Sequence, residues 1–567
     1  MRTQPNIRWQ LLLAVVCLGL VFSLLSYQAQ SEGLCTTRVP APGGTMTEGV
    51  VGAPRYLNPL LSDDNPVDRE LTSLLFDGLL QYDETGQLAP ALAEEWVVSE
   101  DGLTVRFTLR EDVRWHDGEP FTAEDVVFTY GLLQNDAFPA PPEVRALWQP
   151  ITITTPAPNQ VSFTLPEPYS PFLDATTRGI LPAHILSGVS PASLPEHDFN
   201  AQPVGTGPFM VAAGENWRRT GRLRLVPNPD FWRQGVQLDS LAFRFYPDMA
   251  QLMDAYQAGE VQAINNVPAW AVPEVLAMDG TRLFTAPQPR YTQLLFNLEG
   301  HQALATAEVR QALAYGLDRD TLIALAIAGQ GLPLDGPYVP ASWAYNPGAL
   351  SLYAYNPISA TTLLEGAGWL LPEGGGETRQ LAGEAGTDTL NLRLLLPDEP
   401  QQRAVAAQLA AQWAEIGVSV QLSPQQGESY EAALAASDFD LALVDVIAQG
   451  DPDLYSFWSQ EALVRGQNYG RWNSRRASEA LEHARQLWDV AERKPYYDAF
   501  LGLYSQAVPA LTLYQHVTNY AVSEAVNELE IGRIDYPRER YESLANWSLL
   551  YRDISIQCPE TATPEGQ

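Results

Sequence analysis

Lysine is all but missing from this chain. Among 567 residues Lys494 stands alone, and 68 acidic side chains against 34 basic ones leave a formal net charge of −34. Phosphate backbones repel a polyanion, so nucleic acid is not an expected partner. Histidine is scarce as well. The six, His116, His184, His197, His301, His483 and His516, are scattered with no pair at metal-ligand spacing, so neither a metal nor another cofactor is expected. There is no Gly-x-Ser-x-Gly elbow, no His-Glu-x-x-His and no Gly-rich phosphate loop with lysine. Paired carboxylates of the kind glycosidases use are easy to imagine among 68 acids and carry no weight. The chain is therefore not expected to be an enzyme.

What is present is globular: 46% hydrophobic and 18% charged residues, with 14 Trp and 24 Tyr to serve large cores, a sticky cleft, or both. The length exceeds one compact core and implies two or three packed units.

Arg2 and Arg8 precede an apolar run from Leu11 to Leu25. This is either a signal peptide or a single N-terminal membrane anchor, and both readings put the bulk of the chain outside the cytoplasm. No later stretch is long and apolar enough to span a bilayer. Of three cysteines, Cys17 lies in the apolar run, while Cys35 and Cys558 bracket the rest. An oxidising compartment favours a disulfide between these last two. Glu32 and the distance from Leu25 make Cys35 a poor site for lipid attachment.

Residues 28–44 read as a linker, with ordered structure beginning near Thr45. Leu103, Val105, Phe107 and Leu109 alternate with polar residues, the period of a half-buried strand. Thr122 is a candidate N-cap, with Asp125 placed to favour the first turn of the helix that comes next. Residues 134–150 and 186–208 read as long loops, and 372–389 as a flexible excursion. From 390 the pattern is strand, helix (401–416), strand, helix (428–436), strand (439–444), with Gly417 suited to the C′ position. That order implies a parallel α/β unit, whose ligands bind beyond the carboxyl ends of its strands. The loop from Asp445 to Asp453 is thereby the ligand-loop candidate. Asp451 and Asp453 suit a ligand ammonium or, equally, turn and capping roles; Tyr455 and Trp458 suit a cleft or a core. Gly205-Thr206-Gly207 suggests a tight backbone crossing that needs small residues, more than an anion nest.

Pro90-Ala91-Leu92-Ala93-Glu94-Glu95-Trp96, Ser99-Glu100-Asp101-Gly102-Leu103-Thr104, Val113-Arg114-Trp115-His116-Asp117-Gly118 and Pro120-Phe121-Thr122-Ala123-Glu124-Asp125-Val126 succeed one another closely. Together they resemble the signature block of the family 5 bacterial extracellular solute-binding proteins, the oligopeptide-, dipeptide- and nickel-binding components of ABC importers. Val204-Gly205-Thr206-Gly207-Pro208-Phe209, Leu295-Phe296-Asn297, Tyr355-Asn356-Pro357 and Pro509-Ala510-Leu511-Thr512-Leu513-Tyr514 extend the likeness over most of the chain.

The resemblance implies an α/β, two-lobed clam-shell of the type II periplasmic-binding-protein kind, with an extra subdomain in lobe one. Residues 1–30 would be the signal or anchor and 31–44 the linker. Lobe one would comprise 45–60, 201–288 and 515–560, its extra subdomain 61–200, and lobe two 289–514. The chain would cross between lobes near 286–296 and 508–518. It would act as a monomer that captures a solute, foremost a peptide, and delivers it to permease subunits. The site residues implied are Glu48, Val50 and Phe128 on lobe one, Asn297 at the crossing, and Gln449, Asp451, Tyr455 and Trp458 on lobe two. In peptide binders of this family an Asp that comes after an Ala in the lobe-two loop pairs with the peptide ammonium; here Ala448 precedes Gln449. A non-peptide solute and a membrane-tethered sensor with the same fold are the alternatives.

Overall fold

A computed structural model describes residues 15–23, 34–83, 86–233, 235–383, 386–448, 450–531, 540–541, 543 and 546–557. Eleven strands share one mixed sheet among the described residues. They are β1 (Thr45–Val51), β2 (Phe209–Val211), β3 (Arg222–Pro227), β4 (Ser240–Tyr246), β5 (Ala263–Ile264), β6 (Thr281–Phe296), β7 (Gly331–Pro333), β8 (Asn391–Pro397), β9 (Ser419–Gln425), β10 (Leu441–Ile447) and β11 (Ala510–Ser523). Their order is β9-β8-β10-β6-β11-β5-β1-β4-β3-β2, with β7 alongside β11.

The long antiparallel pair β6 and β11 is the spine of this sheet. Thr281–Pro287 pair with 517–523, and Tyr291–Leu295 pair with 510–515, with an irregularity between Pro287 and Tyr291. On one side of it β5, β1 and β4 run parallel. On the other β8 runs parallel to both β9 and β10. Apolar residues segregate accordingly. Met46, Leu241, Phe243 and Val522 belong to one core, and Leu294, Leu394, Leu441 and Leu513 to another. The described chain thus forms two lobes, joined where β6 and β11 pass from one core to the other.

Helices cover the sheet where the apolar spacing demands. Those that bear on the site are α1 (Pro66–Leu75), α2 (Ala123–Gln134), α3 (Pro400–Ala414), α4 (Gly427–Ala435), α5 (Arg475–Gln486) and α6 (Val490–Ala507). Val405, Leu409 and Trp413, four apart on α3, bury against the second core. Gly417, at φ 82°, ends this unit as the C′ reading expects. In α2, Thr122 and Asp125 form a reciprocal capping box, so the N-cap expectation holds and Asp125 does more than favour the dipole.

An antiparallel sheet of Ala93–Val98, Thr104–Leu109, Gln160–Thr164 and Thr152–Ala157 stands apart from the main one. Its Phe107 and Phe163 pack with Tyr130 and Trp148 in a core continuous with that of the first lobe.

Several expectations need correction. The expected loop 134–150 contains a helix, Pro142–Trp148, started by its proline and held by Trp148 stacked 4.1 Å from Tyr130. The expected flexible excursion contains a hairpin, Gln380–Gly383 with Gly386–Thr389. Ordered backbone begins before Thr45: Leu34–Ala41 pairs antiparallel with Leu550–Gln557. This ribbon sets Cys35 opposite Ile556, while Cys558 lies outside the described residues. Residues 15–23 are helical with exposed apolar side chains, and no described helix is long and apolar enough to cross a membrane.

Candidate functional site

The loop after β10 leads from Ala448 to Tyr455, and its carboxylates are matched by two arginines. Asp451 receives a bidentate ion pair from Arg493 of α6, at 2.6 and 2.7 Å. That fork geometry is the strongest an arginine makes with a carboxylate. Arg493 also donates to Tyr497 Oη at 2.8 Å and lies 4.9 Å from the Trp343 ring. Asp453 accepts from Arg485 of α5 at 2.8 Å and from the Tyr455 amide at 3.0 Å. Burial pushes the Asp453 carboxyl above its usual range, and the Arg485 charge works against that shift. Tyr338 completes this wall. It is 3% exposed, its hydroxyl has no hydrogen-bond partner among the described residues, and it lies within the field of Asp453 and Asp451.

The opposite side comes from the segment that follows the strand Gln160–Thr164 of the separate antiparallel sheet. Arg485 is sandwiched between the Tyr169 and Tyr455 rings, 4.7 and 4.3 Å from their centroids. The Ser170 amide and hydroxyl both donate to Arg485 O, at 2.8 and 3.1 Å. Burial raises the Tyr169 phenol to about 12, so it stays neutral. Trp488, between α5 and α6, packs against the first core beside Gly102. Gly450, at φ 82°, comes so close to Asp174 that a Cβ there would stand 2.6 Å from Asp174 Oδ1. The two lobes therefore meet across the 450–455 loop, as in a closed clam-shell.

Comparison with known proteins adds the decisive observation. The sequence profile of the bacterial extracellular solute-binding proteins, family 5, matches residues 87–465. The chain belongs to this family. Oligopeptide-binding protein AppA of Bacillus subtilis is 25% identical over 520 residues, 90% of this chain and 92% of that protein. NikZ from Campylobacter jejuni, solved with Ni(L-His), shares the fold at a TM-score of 0.70 and 24% identity, over 89% of this chain and 99% of its own. AgaA from A. tumefaciens, solved with agropinic acid, superposes at a TM-score of 0.65 with 26% identity, over 90% of this chain and 99% of its own. This family 5 chain is accordingly an extracytoplasmic solute-binding component of an ABC importer and not an enzyme.

Within it the residues singled out from sequence fall into three groups. Asp451 and Tyr455 stand at the interlobe loop just described. Gln449 belongs to that loop but lies outside the described residues. Trp458 is 2% exposed, with its ring 5.2 Å from that of Tyr504 in a lobe-two core. Asn297 staples the same lobe internally: its Nδ2 donates to Ser437 O and Phe439 O, and its Oδ1 accepts from the Glu299 amide.

On lobe one, Val50 is buried and Phe128 half-buried against the first core. Glu48 is fully buried on β1. Its carboxylate accepts from Arg540 at 2.6 Å and from Tyr520 at 2.8 Å. Arg540 also pairs with Glu70 of α1 and donates to Asn265 Oδ1 at 2.7 Å. Tyr541 donates to Glu70 at 2.8 Å. Glu48 thus anchors a C-terminal segment to lobe one.

Sequence reasoning missed Tyr169, Ser170, Asp174, Arg485 and Arg493. Only the last two carried a signal, as cations downstream of an acidic loop. It also missed the cluster at the spine, where Asp445 on β10 accepts from Thr292 on β6 at 2.5 Å and from Arg290. His516 of β11 completes it, with Nε2 2.9 Å from Thr292 Oγ1 and 3.4 Å from the Asp445 carboxylate. Burial opposes ionisation of Asp445, yet His516 and Arg290 hold its carboxyl well below the usual range. These contacts tie three strands together at the point where the chain passes between lobes.

The signature block has a structural task. The Gly205 amide donates to His116 Nδ1 at 3.0 Å, and His116 Nε2 lies 3.1 Å from Gly207 O. A Cβ on Gly205 would stand 1.8 Å from Leu75 O, so the crossing does need glycine. Burial pulls the His116 imidazole down to about 4; it is neutral at pH 7, donating from Nε2.

Proposed function

We propose that the solute is a peptide, held between the lobes at the loop 448–455. The observation that carries this reading is the interlobe contact itself. The Ser170–Arg485 hydrogen bonds and the Tyr169–Arg485–Tyr455 sandwich join the two lobes beyond the carboxyl end of β10, where ligands of such sheets bind. A ligand touching both walls favours the closed state by its differential affinity. Backbone groups on strand edges hold an extended peptide without reading its side chains. The similarity to an oligopeptide-binding protein over most of both chains points the same way.

Within this proposal Asp451, Tyr455 and Gln449 face the solute directly, while Glu48, Val50, Phe128, Asn297 and Trp458 support the walls. The lobe boundaries proposed are those of the family resemblance, with residues 61–200 as the extra subdomain. The protein works as a monomer, tethered by an uncleaved N-terminal helix or released after cleavage, with Cys35 and Cys558 joined; the pairing of Leu34–Ala41 with Leu550–Gln557 supports that link.

One observation favours a second reading, a non-peptide solute. Asp451 is already bonded to Arg493 on both oxygens. It offers an ammonium less than a free carboxylate would.

Native mass spectrometry of the exported part, purified without refolding, separates the two. A ladder of adduct masses that fragments into short peptides is expected. A single non-peptide adduct would move the protein to an opine- or chelate-binding role.

A further inference from the structure

Charge at the interlobe loop does not balance. Among the described residues three carboxylates approach it, Asp451, Asp453 and Asp174, but only two guanidinium groups answer them, Arg493 and Arg485. Asp174 is the one left over. It comes from the other lobe, from the short helix Phe172–Ala175, and its carboxylate stands against the backbone of Gly450. The hydrogen bond it accepts comes from Tyr82 Oη at 2.5 Å. Arg178, on the same segment, is paired with Asp63 at 3.0 Å and lends Asp174 only a distant attraction. Asp451 faces it with like charge. A half-buried carboxylate so placed, with no cation paired to it, is a poor structural device, because desolvation and repulsion both act against its ionised form. Burial raises its pKa to about 6, with the Asp451 charge adding to the shift.

A second observation at the same loop is independent of these acids. The Tyr338 hydroxyl, buried within the field of Asp451 and Asp453, has no hydrogen-bond partner among the described residues. Buried hydroxyls are nearly always paired. One left open within the field of Asp451 and Asp453 marks a place for a polar guest at this loop. The position in the loop agrees: Gly450 comes directly after Gln449, the residue that stands where related peptide binders carry an acid. Asp174 reaches the neighbouring residue from across the cleft, and Gly450 admits it because it has no side chain.

We propose that Asp174 is the carboxylate that receives the cationic group of the ligand, the α-ammonium of a peptide, so that the extra subdomain supplies the charge that the lobe-two loop lacks. The assignment rests on the peptide reading above. Because the acid comes from one lobe and its backing from the other, the salt bridge forms fully only on closure. Ligand charge is thereby coupled to lobe closure. The ammonium compensates Asp174, while Asp451 and Asp453 remain with their own arginines.

The test uses the whole exported chain and a casein hydrolysate offered in two forms, with free amino termini and fully N-acetylated, retained peptides being weighed after rapid desalting. Wild-type protein is expected to retain free-amine peptides at least about thirtyfold better than acetylated ones, the loss usual when one partner of a buried charge pair is removed. In Asp174→Asn that preference should vanish, with Asp174→Glu restoring part of it. Retention by wild type should fall about tenfold from pH 7 to pH 5, as a carboxylate titrating near 6 becomes protonated, while Asp174→Asn stays flat. A melting temperature for Asp174→Asn at or above wild type shows that the loss is not unfolding. If wild type retains both pools equally, or Asp174→Asn keeps the preference, the assignment is overturned and Asp174 is a closure contact alone. If neither pool is retained, the peptide reading falls and takes this one with it.

Discussion

Two buried arginine–carboxylate clusters, one per lobe, hold residues that the sequence nominated for ligand binding, and they do different work. Around Glu48, Arg540 answers two carboxylates, Glu48 and Glu70, and Tyr520, Tyr541 and Asn265 add hydrogen bonds to the same cluster. Every partner belongs to lobe one or to the C-terminal segment laid on it. Around Asp451 the arginines also satisfy acids of their own lobe, but Arg485 is gripped by Tyr169 and Ser170 of the other. The first cluster is an internal rivet and the second is an interface. A buried, well-bonded acid therefore does not by itself identify a binding site; an acid network whose bonds extend to the other lobe is the one that nominates a candidate.

The sharpest way to break this comparison is Arg540→Met. It strips two buried carboxylates of their cation, and lobe one should lose about 3–5 kcal/mol, read by urea unfolding. Ligand retention by the fraction that stays folded should be unchanged. A loss of binding without a loss of stability would make the first cluster part of the cleft after all.

Arg485→Ala should differ in reaching the ligand. It removes the ring sandwich and the Asp453 ion pair, so weaker closure is expected, with ligand affinity falling by about 1–3 kcal/mol. Small-angle scattering should report a more open envelope, and the unfolding midpoint should fall as well, because Asp453 is left buried without its cation.

The His116 staple predicts a pH effect of intermediate size. Its folded pKa lies near 4, below the ordinary 6.5, so the stability it contributes is full above about pH 6.5 and is lost as pH falls towards 4. His116→Gln should flatten the acid limb of a stability–pH curve in that window.

The smallest effect expected is from Ser170→Ala. One of two hydrogen bonds to Arg485 O is lost, about 0.5–1.5 kcal/mol of closed-state preference, visible in ligand dissociation rate before anything else.

How much was legible beforehand depends on distance along the chain. The β8–α3–β9–α4–β10 order showed in periodicity because each element there reports its own burial. The helix Pro142–Trp148 was hidden in a Pro-rich stretch because its stability comes from Trp148 stacking on Tyr130, not from propensity. The strand Leu34–Ala41 was hidden because its partner is Leu550–Gln557, at the other end of the chain. Among site residues, the loop carrying Asp451 was legible as the carboxyl end of a parallel strand. Asp174 was not, since nothing near it in sequence hints at Gly450.

By itself the sequence determined the family, through contiguous blocks in which local turn, cap and crossing requirements fix residue identity. It also determined the exported class, the α/β architecture of lobe two and the need for small residues at Gly205 and Gly417. The tertiary structure alone decided which acids are free. Whether a carboxylate is committed depends on cations far away in sequence: Arg540 for Glu48, 492 residues on, and Arg493 for Asp451, 42 on. Such pairings leave no periodicity, because a charge is satisfied by its neighbours in space and not by its neighbours along the chain.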